Sequence, residues 1–336
     1  MSDTKPYIGG QAVIEGVMMR APGCMTVAVR KPDGGIAITE GPLVSRMAKS
    51  KLWKLPGFRG VMTLFESLKL GYSALRFSAE QQMTEEERAK GDGGGAMWVS
   101  IVAALLIFVA LPQLAAERTG SFLGLDLDVQ DWQFHALTGG FKLLVFTLYL
   151  FLISRLEDVR RVFQYHGAEH KTIFAYEAGL PLTVENVRAQ STLHPRCGTT
   201  FLIVVILVSI VVGSAVTPLL LPTAEGLEAQ LLTLAIRIAL LPPIAAISYE
   251  LQRLSARYCT TGPLQVLLWP GFLFQKITTR EPDDAQIEIA IAAMRTAMWR
   301  ESIGEDADAD GDPLEFPSFE EFLEGVDSLR PVRAAA

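Results

Sequence analysis

Three of the chain's four histidines, His166, His170 and His194, fall in one stretch, residues 165–199, together with Cys197 and with Glu169 immediately before His170. On a helix, positions i and i+4 stack on one face, so His166 and His170 would stand together with Glu169 beside them. Imidazole nitrogen and thiolate sulfur are the donors that a zinc-type divalent ion takes, at about 2.0–2.3 Å and commonly in a tetrahedron. His166, His170, His194 and Cys197 offer that set, with Pro195-Arg196 as a short turn between the last two. The order His-x-x-Glu-His is also the reversed zincin signature, in which the glutamate is the base toward a water, so Glu169 is the candidate catalytic residue. If all four side chains bind, the site is closed and structural; if one stands off, water enters and hydrolysis becomes feasible. Spacing leaves both open, and Glu250, beyond the fourth apolar segment, is an alternative third ligand.

A second stretch, Gly9-Gly10-Gln11-Ala12-Val13-Ile14-Glu15-Gly16-Val17-Met18-Met19-Arg20, has no Gly-Lys-Ser/Thr and no dinucleotide fingerprint. Its ordinary reading is a strand with glycine bends. Glu15 and Arg20 are its candidates for substrate binding.

The histidine stretch sits between the second and third of four apolar segments. Residues 97–115 and 200–222 carry no charge, 136–153 only Lys142, and 230–249 only Arg237. Each approaches the length needed to cross about 30 Å of hydrocarbon. Lys and Arg mark the cytoplasmic loops: residues 154–199 hold six, against Arg118 alone in 116–135 and none in 223–229. The expectation is a multi-pass protein of the cell membrane, the bacterial inner membrane, with both termini and the histidine loop cytoplasmic. No charged-then-apolar leader opens the chain, so no cleaved signal is expected.

The expected fold class is therefore an α-helical integral membrane protein. It has about four transmembrane helices and a small α+β cytoplasmic domain, built from the N-terminal β-hairpin region and the loop between spans two and three. The expected order is a β-rich, Gly-rich region (1–60), an amphipathic helix and linker (61–96), transmembrane helices one and two (97–153) and the metal-site loop (154–199). Transmembrane helices three and four (200–249), interfacial and amphipathic helices (250–300) and an acidic disordered tail (301–336) follow.

Several local readings support this plan. Met25–Val29 and Ile36–Ile38 flank Pro32-Asp33-Gly34-Gly35, a hairpin signal. Val61, Leu64, Phe65, Leu68, Tyr72 and Leu75 recur at helical spacing, which serves a helix on a soluble core or on a lipid surface, and Lys49, Lys51, Lys54 and Arg59 ahead of them slightly favour lipid. Residues 84–95 read as a flexible linker, and Asp126, Asp128 and Asp131 as a solvated external loop. Arg237, ahead of Pro242-Pro243, is a costly charge for which sequence names no partner. Residues 264–274, too short to cross and split by Pro270-Gly271, read as re-entrant or interfacial. Ile287, Ile291, Met294 and Met298 predict another amphipathic helix, opened by Asp283 and Asp284. Residues 306–311 begin like an EF-hand loop, but Pro317 stands where its bidentate glutamate belongs.

Half the residues are hydrophobic and the formal net charge is −7, yet eleven acids and no Lys or Arg lie in 301–327. The remainder is basic, which suits a face against anionic lipid or nucleic acid, though there is no specific nucleic-acid motif. Three scattered cysteines make thiols, not a disulfide framework.

The Gly9–Arg20 stretch, Pro56-Gly57-Phe58-Arg59-Gly60, Tyr165-His166-Gly167-Ala168-Glu169-His170-Lys171 and His194-Pro195-Arg196-Cys197-Gly198-Thr199 together resemble the bacterial YqhQ family. That family is a domain of unknown function described as a metal-dependent membrane protein. The resemblance covers roughly residues 7–300. It implies an integral membrane protein with a metal site at His166, Glu169, His170, His194 and Cys197, and carries over no substrate. The expected function is a membrane-embedded protein that binds a divalent metal, zinc by donor type, and hydrolyses an unidentified substrate at the cytoplasmic surface. The alternative is a non-enzymatic scaffold or assembly and translocation factor with a structural metal, its partners being the bilayer and an unknown protein. Without paired carboxylates in the spans, ion-coupled transport ranks third.

Overall fold

The computed structural model describes residues 5–43, 55, 57–84, 86–87, 95–125, 127–220, 226–259, 263–303 and 313–328. Lys49, Lys51, Lys54, Asp126, much of the 84–95 linker and the EF-hand-like 306–311 lie outside them.

The N-terminal stretch is an antiparallel meander of β1 (Gly9–Val13), β2 (Gly16–Arg20), β3 (Cys24–Arg30) and β4 (Ile36–Pro42), with β3 and β4 forming the expected hairpin. Its two faces are covered by different helices, so Val27, Ala28 and Val29 are all fully buried although successive strand residues point to opposite faces. On one face lies α1 (Phe58–Gln82), with Leu70, Ala74 and Phe77 against Val13, Met18, Val27 and Val29. The expected amphipathic helix is there, but its small residues Gly60, Gly71, Ala74 and Ser78 turn inward. Phe65, Leu68, Tyr72 and Leu75, the bulky part of the expected apolar face, are exposed.

The apolar helices follow. The first is α2 (Gly95–Leu105), a π turn (Leu106–Ala110) and α3 (Leu111–Phe122), continuous over Trp98–Phe122 for 25 residues and so running past Glu117 and Arg118. Next come α4 (Trp132–Ile153, 22 residues), then α5 (Glu157–Ala178) and α6 (Val184–Arg188), then α7 (Gly198–Leu220, 23 residues). The expected fourth span is two helices, α8 (Gly226–Ala239) and α9 (Leu241–Tyr258), bent by 47° where Pro242-Pro243 opens α9. Three helices among the described residues are thus long and apolar enough to cross a membrane, or four if the bent pair is one span.

A 3-10 turn (Pro263–Leu268) leads into α10 (Trp269–Thr278). The segment is divided beside Pro270-Gly271, as expected, with Pro270 in the first turn of α10, where proline's missing N–H costs nothing. In α11 (Asp284–Ile303), Ile287, Ile289, Ala290, Ile291, Ala292, Ala293, Met294 and Ala297 are all fully buried. The expected amphipathic helix is instead the core of the sheet domain, surrounded by β2, β3, α5, α6 and the C-terminal segment. Asp283 caps it, taking the Gln286 N–H at 2.8 Å while the Gln286 side chain takes its own N–H at 3.0 Å.

The expected disordered tail is ordered in its described part. β5 (Leu314–Phe316) pairs with β4, and α12 (Phe319–Ser328) buries Phe322 and Val326 in the same core. Acidic composition predicted a solvated coil; the apolar stripe of Leu314, Phe316, Phe319, Phe322 and Val326 overrides it.

Candidate metal centre

The histidines of the central motif lie on α5, which continues without a break through Gly167. Glycine is required there because a Cβ would overlap the Arg280 carbonyl oxygen, where the chain leaving α10 crosses the helix. Arg280 donates its N–H to the Phe163 carbonyl at 2.9 Å, so that crossing is tied by backbone.

His166 donates from Nδ1 to the Thr278 carbonyl at 2.8 Å, and His170 from Nδ1 to the Thr192 carbonyl at 2.5 Å. A carbonyl can only accept, so each bond places the proton on Nδ1 and leaves Nε2 with its lone pair. His166 Nε2 lies 3.3 Å from Cys197 Sγ, and one donor atom each of His166, His170 and Cys197 all fall within 4.8 Å of one another. Cys197 immediately precedes α7, with the Thr199 N–H 3.4 Å from the sulfur and the Thr199 hydroxyl also at 3.4 Å. Burial depresses the pKa of His170, against an upward pull from Cys197. A neutral imidazole held by a carbonyl on its other nitrogen is the form in which histidine ligates a metal.

His194 stands outside this set. Its ring is 5.6 Å from that of His170 and 4.5 Å from Phe174. Its Nδ1 accepts the Arg196 N–H at 3.3 Å, which puts the proton on Nε2, facing Glu177 at 3.7 Å. Burial lowers its pKa to about 4, against Glu169, which raises it. Of the four expected donors, three cluster, and His194 lines one cavity with them, outside that cluster, its Nε2 without a hydrogen-bond partner among the described residues.

Glu169 is buried, 5% exposed, and one carboxylate oxygen, Oε2, has no hydrogen-bond partner among the described residues. Burial pushes its pKa up, opposed by His166, His194 and an Ala12 N–H bonded to the carboxylate. β1 presses on it so closely that a Cβ on Gly10 would fall 2.6 Å from its Cγ. Glu169, the three clustered donors, His194 and Gly9–Ala12 all line one cavity of about 430 Å³.

Glu15 and Arg20 do not line it. Glu15, at φ 51 in the β1–β2 turn, is gripped by Arg161 through Nε and Nη2 and by the Tyr165 hydroxyl at 3.2 Å. Arg20 faces Glu66 at 3.6 Å, and Glu250 is taken by a bidentate Arg59. The Gly-rich motif does contribute, through the backbone of Gly10 and Ala12, and its adjacent glycines were the available signal for a close approach. The Thr192 and Thr278 carbonyls carry no such signal, because every residue has one.

These features define a helical protein with apolar helices of membrane-crossing length, a two-faced antiparallel sheet domain, and a His₂Cys cluster where the two meet. The chain belongs to the family described as protein of unknown function (DUF1385), whose model matches residues 55–300. It is 34% identical over 315 residues to the "Uncharacterized protein YqhQ" of Bacillus subtilis (strain 168), covering 89% of this chain and 95% of that relative. No solved structure matches it significantly.

Proposed function

We propose that the protein is a multi-pass protein of the cell membrane that binds a divalent metal, zinc by donor type, through His166, His170 and Cys197. With that ion it hydrolyses a substrate at the cytoplasmic surface. The observation that carries this reading is the pair of imidazoles, each pinned by a backbone carbonyl so that its other nitrogen is left for the cluster beside the Cys197 sulfur. Two nitrogens and a sulfur suit a borderline-soft ion, and three protein donors are the number a catalytic zinc site uses. Such an ion supplies Lewis acidity and makes water acidic enough to ionise near neutral pH.

The chain's own residues do the rest. Glu169 Oε2, buried and unpaired, is the base: it takes a proton from water as the water oxygen bonds to the electrophilic centre, then returns it to the leaving oxygen as that bond breaks. β1 covers the carboxylate and limits bulk water. The six cationic residues of 154–199 support a cytoplasmic site, and an even number of crossings, with the bent pair as the fourth, supports both termini on that side.

The test is elemental analysis of full-length protein purified in detergent, beside His166→Ala and Glu169→Gln. The expected result is stoichiometric metal in wild type and Glu169→Gln and none in His166→Ala, with Glu169→Gln failing to complement a deletion strain. Absence of metal from all three overturns the reading. Complementation by Glu169→Gln would instead assign the ion a stapling role in a scaffold.

A further inference from the structure

The cavity at the cluster has two chemically different ends. One is polar: His166, Glu169, His170, His194 and Cys197. The other is a wall of Phe146 and Leu150 from α4 and Leu202 from α7, continued by Val162 and Phe163 of α5, with Ile173 beyond His170 on the far side of the polar groups. The first three belong to the apolar helices, within two turns of the ends from which α5 and the histidine loop depart. Aliphatic and aromatic walls leading to a few converging polar groups are how a binding site sorts an amphiphile, and about 300–1,000 Å³ is the usual size of small-ligand pockets.

Two of the residues that line the cavity are themselves well exposed. Tyr7 lines it and is 61% exposed, at the sheet domain, with the Arg196 guanidinium 4.5 Å from its ring centre. Leu202 lines it and is 45% exposed, near the start of α7, whose residues beyond it are apolar for nearly two turns. A soluble polar substrate has no use for a wall contributed by helices of membrane-crossing length.

Resting on the metal-hydrolase reading of this site, we infer that its substrate is a membrane amphiphile. Its aliphatic chain enters from the bilayer past Leu202 and lies between α4, α7 and α5, and its hydrolysable head group reaches the His166–His170–Cys197 cluster. Hydrocarbon against Phe146, Leu150 and Leu202 is a hydrophobic gain where the alternative is water. For a lipid already in the bilayer that gain vanishes. Selection of the chain then rests on the shape of the wall, and turnover on the head group.

The experiment uses full-length protein in nanodiscs of phosphatidylglycerol carrying a diazirine in one acyl chain, irradiated and mapped by peptide mass spectrometry. Label is expected within residues 162–173, which hold the α5 lining of the cavity. Leu202→Trp should remove most of that label, and Val211→Trp, exposed on the same helix but outside the cavity, should leave it. His166→Ala should lose metal and keep the label. Metal-replete protein labelled only at outward positions such as Leu148, Leu152 and Val211 would overturn this inference and leave the metal reading standing. Labelled 162–173 in a wild type without metal would overturn the metal reading alone. Undiminished label in Leu202→Trp would overturn entry from the bilayer.

Discussion

His135 and His166 are both set among buried polar groups, and they end in opposite states. His135 lies within the apolar helices. Its Nε2 is 2.9 Å from the Val129 carbonyl and its Nδ1 is 3.2 Å from Arg237, whose guanidinium also reaches Gln113 at 3.0 Å and Thr138 at 3.4 Å and lies over the Phe134 ring. Both ring nitrogens are spent, and the costly arginine is stabilised by neutral acceptors with no carboxylate among these partners. His166 spends one nitrogen on Thr278 and turns the other toward Cys197, in a cavity that also holds the unpaired Glu169 Oε2. The first cluster is closed and joins helices; the second keeps donors in reserve. Burial of a histidine therefore says little about function until both of its nitrogens are accounted for.

Substitutions in the two clusters should accordingly fail in different ways. The largest effect is expected for Cys197→Ala or His166→Ala: bound metal falls from about one per chain to background, since a three-donor site does not survive loss of a donor. Elemental analysis checks it, and normal metal in either variant would erase the contrast. His135→Ala should leave metal unchanged and cost about 1.5–3 kcal/mol, the worth of a hydrogen bond to a charged group, read from denaturant unfolding in detergent. A metal loss there equal to that of His166→Ala would mean the clusters are not independent.

Gly10→Ala is the sharper probe of reserve. Its methyl must displace Glu169, an overpacking that costs about 1–3 kcal/mol, and complementation should be lost while metal is retained. Full complementation would remove Glu169's position from the mechanism. The smallest expected change is in Thr199→Val, which takes away a hydroxyl beside the sulfur and should weaken metal binding by about tenfold, at the lower end of outer-shell effects. Competition with a chromogenic chelator measures it.

Much of the architecture was readable in advance because it follows from one-dimensional pattern. Uninterrupted apolar runs marked the membrane-length helices, the Pro32-Asp33-Gly34-Gly35 turn marked the β3–β4 hairpin, and the His-x-x-Glu-His spacing put His166, Glu169 and His170 together on α5. Pattern misled where packing outvoted composition. The acidic C-terminal segment holds an ordered strand and helix because Phe322 fills the core, and α11 is buried on nearly every side although its polar residues suggested a wet face.

What no pattern could convey is which groups each side chain spends on its neighbours. Glu15, Arg20 and Glu250 have the right chemistry for a site and are taken by Arg161, Glu66 and Arg59, while His194 gives Nδ1 to the Arg196 amide and keeps a buried Nε2 with no hydrogen-bond partner among the described residues. The Thr192 and Thr278 carbonyls, anonymous in sequence, orient the two histidines that remain available. Residue type and spacing set the inventory of donors and acceptors along the chain. Hydrogen bonding saturates most of them, and only the three-dimensional approach of distant backbone decides which lone pairs are left over to do chemistry.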